Sequence, residues 1–135
     1  MLRRLGALIV AGLLAVATQT SAQIPLKTAM HEKLANAQQL MRAVITGDYA
    51  AVERYSRSLG RISETEIGSW QARANPDYTR NAEFFLLSVK GLRDAAAKHD
   101  RNAANEEYLN LLSSCVHCHA YVRDLRMVSA TGRQP

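Results

Sequence analysis

The chain has 135 residues, 47% hydrophobic and 21% charged, so one ordinary globular domain is the expectation. Lys and Arg number 17 against 12 Asp and Glu, a net charge of +5 scattered along the chain, which excludes a nucleic-acid binder built on a basic stripe or a known module. No hydrolytic triad, phosphate-cradling loop or paired-carboxylate arrangement is recognisable, so an enzyme is not expected.

Residues 1–22 read as export machinery. Arg3 and Arg4 make a positive start, Leu5 to Ala17 an apolar core, and Thr20-Ser21-Ala22 a small-residue cleavage site before Gln23. Thr18 to Ser21 cut the apolar stretch short of the roughly 18 residues that a membrane anchor needs. A cleaved signal peptide followed by one domain over residues 23–135 is therefore expected, with no membrane span once it is removed. Loss of the two arginines lowers the net charge from +5 to +3.

From Leu26 the apolar positions Leu26, Met30, Leu34, Ala37, Met41 and Val44 recur in steps of three and four, which predicts a first helix over residues 26–46. Gly47 stops it and Asp48 is placed to cap the next. Tyr49, Val52, Tyr55 and Leu59 mark one face of a second, shorter helix that ends near Gly60 or a few residues later. Residues 61–78 are the least regular region, with Gly68, Trp70 and the turn signal Asn75-Pro76-Asp77, although Ile62 to Trp70 could add helical turns.

Pro76 suits the first turn of a third helix capped by Asn75 and running to about Lys98, with Phe84, Leu87, Gly91 and Ala95 along one stripe. His99-Asp100 marks a break, and Asp100 or Asn102 can cap a fourth helix. That helix carries Tyr108, Leu112, Cys115, Val116, His119 and Val122 before the chain frays from Ser129 to Pro135. Four amphipathic helices with short connections predict an all-α, antiparallel up-down-up-down bundle, with the start of helix 1 beside the end of helix 4.

The chemistry-bearing motif is Cys115-Val116-His117-Cys118-His119. Two thiols three residues apart share one helical face and can add to the two vinyl groups of haem as thioethers; His119 then sits beneath the porphyrin as proximal iron ligand. A covalently held haem c would add substantially to the core of a chain this small. Two other chemistries remain open. A redox disulfide usually opens a helix after a strand, unlike this motif, and zinc would find three ligands in Cys115, Cys118 and His117 or His119 but no second pair elsewhere. His117 is expected to point away from the attachment face into solvent, and His99 to be a helix-end charge or simply exposed. Trp70, Tyr49 and Tyr55 suit core or haem packing.

A four-helix pattern with Cys115-x-x-Cys118-His119-x-x-x-Arg123 near its C-terminal end resembles the cytochrome c-prime class of bundle cytochromes, over essentially all of residues 24–126. The resemblance implies a periplasmic haem protein, with redox partner proteins and a possible homodimer. In that class an aromatic residue usually precedes the arginine; here Val122 does, and Tyr121 lies one step earlier. Some members of the class place a helix 1 methionine on the iron and transfer electrons; others leave that face open and bind small gases.

Only 16 residues follow His119, and Met127 is too close along the same helix to reach the other face of haem. The sixth ligand, if there is one, must come from upstream. Met30, about one turn into helix 1, is expected to face the end of helix 4 and bind the iron, making an electron carrier with His119/Met30 ligation. Met41 lies about 16 Å further along the axis, at 1.5 Å per residue. Leu34, one turn beyond Met30, is the competing distal residue and would leave a five-coordinate, gas-binding site. A third reading is a haem-free exported bundle stapled through Cys115 and Cys118 by a disulfide or metal. Arg123, one turn past His119, is expected to pack beside the imidazole or a propionate.

Overall fold

The computed structural model describes residues 26–67 and 76–131, with side-chain surroundings for residues 26–66 and 76–124. The expected signal peptide, Gly68, Trp70 and the Asn75 cap lie outside the described residues. Among the described residues there are four helices: α1 (Leu26–Thr46), α2 (Tyr49–Ile67), α3 (Pro76–Lys98) and α4 (Arg101–Thr131). No strand occurs among the described residues.

The two short connections are built alike. Gly47 has φ +72° and His99 has φ +53°, both in the left-handed region. At the first, Gly47 N–H donates to Val44 O (3.3 Å) and Asp48 N–H to Ala43 O (2.9 Å); at the second, His99 N–H donates to Ala96 O (3.1 Å) and Asp100 N–H to Ala95 O (3.0 Å). This pair of bonds satisfies the last carbonyls of each helix. The same aspartates then start the next helix, Asp48 Oδ1 accepting from Ala51 N–H (2.9 Å) and Asp100 Oδ1 from Ala103 N–H (3.0 Å). Asp100, not Asn102, is thus the cap of α4. His99, bulky for a left-handed position, stacks its ring on Tyr49 at 4.8 Å and 9°, tying the two connections together at one end of the bundle.

Such tight connections reverse the chain, and the cross-helix pairs follow. Glu53 early in α2 meets Arg93 late in α3 at 3.4 Å, Lys33 near the start of α1 pairs with Glu66 at the end of α2, and the Tyr108 hydroxyl of α4 donates to the Ala37 carbonyl of α1 at 3.2 Å. Consecutive helices are therefore antiparallel neighbours, and α1 closes against α4.

Helix α2 does not stop at Gly60. That glycine is buried in mid-helix, where an added Cβ would lie 3.4 Å from Val89 Cγ1, and Leu59, Ile62 and Ser63 carry the buried face onward. Its missing side chain serves a close approach to α3 rather than a stop. Helix α4 likewise continues past Ser129 to Thr131.

The core keeps part of the expected stripes, Ala37, Val44, Ala95 and Tyr108, but on three helices it otherwise turns toward neighbouring positions. In α1 the buried residues are Ala29, Ala37, Leu40, Ala43 and Val44, while Leu26, Leu34 and Met41 are exposed. In α3 they include Phe85, Val89, Leu92 and Ala96, while Phe84 and Leu87 face outward. In α4 Leu111 is buried, and Leu112 and Val116 are exposed. Each helix contributes one fully buried leucine, namely Leu40, Leu59, Leu92 and Leu111. Each such burial contributes about 1.5–3 kcal/mol. The remaining core is largely alanine, which lets the helices approach closely.

Candidate haem-attachment site

Cys115 and Cys118, three residues apart on α4, are half-buried and unpaired. Ser114 beside them is buried, its hydroxyl donating to the Leu111 carbonyl at 2.7 Å. The two thiols line an apolar cavity of about 150 Å³ near the end of the bundle where α1 begins. Helix α1 supplies Met30, Lys33, Leu34 and Ala37 to its wall, α3 supplies Ala82 and Phe85, and α4 adds Leu112 and His119. Five of the six expected site residues, Cys115, Cys118, His119, Met30 and Leu34, thus line one cavity.

Burial pushes both thiols above their ordinary range. For Cys115 the Lys33 ammonium opposes that effect. At Cys118 the Glu66 carboxylate reinforces it and Lys33 again opposes it. Burial on an apolar wall keeps both thiols neutral and disfavours free thiolate chemistry.

Met30 is half-buried, while Leu34 on the same wall is 62% exposed and Leu112 is 38% exposed. Met41 is 46% exposed and takes no part in the cavity. His117 is also exposed, its Nδ1 3.4 Å from Ser113 Oγ. It lines a separate groove between α3 and α4, so the two histidines of the motif face different surroundings. Arg123 is not brought to the cavity: its guanidinium lies 3.7 Å from Asp124, and its side chain is 72% exposed.

The donor set fits haem c. Two unpaired thiols at i and i+3, an adjacent imidazole and a thioether from the facing helix share walls otherwise dominated by apolar side chains. The cavity is smaller than a porphyrin, so a bound haem must also cover the exposed Leu34 and Leu112. Such a group would shield those two leucines from water. Among the described residues no three His, Cys, Asp or Glu side chains are grouped to hold a metal ion by themselves, and no helix is long and apolar enough to cross a membrane.

The site has a polar element that sequence reasoning missed. Lys33 Nζ donates to Glu66 Oε2, and the Tyr78 hydroxyl donates to Glu66 Oε1. The ammonium also lies 4.8 Å above the centre of the Phe85 ring. All four residues line the cavity. Lys33 could have been placed there by its spacing of three from Met30, but Glu66 lies in the stretch after Gly60 whose helical state the sequence left open. No protein family, curated protein or solved structure matches the chain.

Proposed function

We propose that the protein is an exported, periplasmic c-type cytochrome similar to the cytochrome c-prime class, carrying electrons to or from redox partner proteins. The observation that supports this most strongly is the meeting of Cys115, Cys118 and His119 of one helix with Met30 of another in one apolar cavity. When bound, the haem iron supplies one-electron chemistry. The protein's residues do the rest. Cys115 and Cys118 hold the group through two thioethers, and the His119 imidazole provides the proximal nitrogen. Met30 offers a soft sulfur from α1, which favours the reduced state. Ala37, Ala82 and Phe85 supply the buried apolar side of the site.

Leu34 supports a second reading, since it lines the same cavity one turn from Met30. Were it to stand over the iron instead, the site would be five-coordinate and would bind small gases. The oxidised spectrum decides between them. Met30 ligation predicts a low-spin protein with a weak sulfur-to-iron charge-transfer band at the red end of the spectrum, lost in Met30→Ala. A high-spin protein indifferent to Met30→Ala gives first place to the gas-binding reading.

A further inference from the structure

We propose that Lys33 and Glu66 form a compensating charge pair at the haem site, each charge shifting the reduction potential in the opposite direction so that the intact pair leaves it near the value of an uncharged wall. This rests on the haem reading. The pair spans α1 and α2 inside the cavity wall, with side chains only 15% and 7% exposed. Stability alone is a poor reason for it: desolvating two charges costs several kcal/mol, and apolar replacements of such pairs are often neutral or stabilising. Both ends are nevertheless held. Glu66 accepts from Lys33 and from Tyr78 of α3, and the ammonium is seated over Phe85. Both charges are felt on the attachment helix, at the Cys118 thiol.

The oxidised iron carries one more positive charge than the reduced iron. A buried carboxylate nearby favours the oxidised form and a buried ammonium the reduced form; in a wall this dry neither is well screened. The Tyr78 hydrogen bond draws charge from the Glu66 carboxylate and so moderates its share. With both partners present the two effects largely cancel, and breaking the pair exposes each in turn.

The test is a spectroelectrochemical titration of the holoprotein at pH 8, with covalent haem content checked first. Glu66→Gln should favour reduction by on the order of tenfold, which is about 59 mV upward for one electron. Lys33→Met should move the potential downward by a similar factor, and the uncharged double variant Lys33→Met/Glu66→Gln should return close to wild type. Tyr78→Phe should lower it by a smaller factor. The double variant and Tyr78→Phe keep the test decisive if a single charge variant fails to fold. Shifts of the same sign in both single variants, as water entry into a loosened cavity would give, overturn the proposal. So do unmoved potentials in a haem-bearing protein with unchanged ligation. A protein without covalent haem refutes the cytochrome reading itself, and the charge pair's role falls with it.

Discussion

The two short connections offer a controlled comparison, because they share one hydrogen-bond pattern and differ in the residue at the left-handed position. Gly47→Ala places a Cβ at φ +72°, 3.1 Å from Arg101 Nη2, the free end of a flexible side chain. A left-handed conformation costs about 1–2 kcal/mol for a residue with a Cβ, and the stiffer unfolded chain returns about 0.4–1 kcal/mol. The net expectation is about 1 kcal/mol of destabilisation. His99 already bears that cost at φ +53° and offsets it by stacking on Tyr49 at 4.8 Å, an arrangement that contributes about 0.5–1.5 kcal/mol. His99→Gly therefore relieves strain but loses the stack and loosens the unfolded chain, leaving stability within about 0.5 kcal/mol of wild type. In a Tyr49→Ala background there is no stack to lose, and the same change should stabilise by about 0.5–1 kcal/mol more than it does in wild type. Urea unfolding of the four proteins measures this coupling. A coupling below about 0.3 kcal/mol, or Gly47→Ala without cost, would refute the reasoning.

Leu40→Ala should cost about 2–5 kcal/mol, since it empties a fully buried site, whereas Met41→Ala beside it should cost less than about 1 kcal/mol; chemical denaturation of both variants checks the placement of the core. His119→Ala should grossly change the visible spectrum while His117→Ala leaves it nearly untouched, and equal effects would mean that the two histidines do not face different surroundings. Before haem is attached, both thiols should alkylate more slowly at pH 8 than a solvent-exposed cysteine, because burial raises them and lowers the thiolate fraction at that pH. Alkylation at the rate of a free thiol would contradict their placement on the cavity wall.

Helix number, order and most boundaries were legible in the sequence, because Gly47, Asp48, Asp100 and Pro76 act through local backbone chemistry. The end of α2 was left open between Gly60 and further turns to Trp70, because the role of Gly60 is tertiary, a close approach to Val89 that local pattern cannot distinguish from a helix stop. On α1, α3 and α4 the expected stripe was right only in part: Ala37, Val44, Ala95 and Tyr108 are buried, whereas its larger apolar members stand exposed. Periodicity weights large apolar residues, yet much of this core is alanine and serine, such as Ala29, Ala43, Ala96 and Ser88, while Leu34, Phe84 and Leu112 stand exposed. That Cys115, Cys118 and His119 share a cavity with Met30 was legible, because the spacing of three puts both cysteines on one helical face and antiparallel topology brings the start of α1 to the end of α4. The Lys33–Glu66–Tyr78 cluster was not legible. Lysine and glutamate on a helix read as solvated, and only the packing of three helices removes them from water.

The central claim is that Cys115 and Cys118 bind haem covalently, and the most direct measurement is haem staining of the purified protein after denaturing electrophoresis. Wild type should keep its stain through denaturation, and Cys115→Ala and Cys118→Ala should each weaken or abolish it, because each removes one thioether. An unstained wild-type band, or full staining in both variants, would contradict the claim.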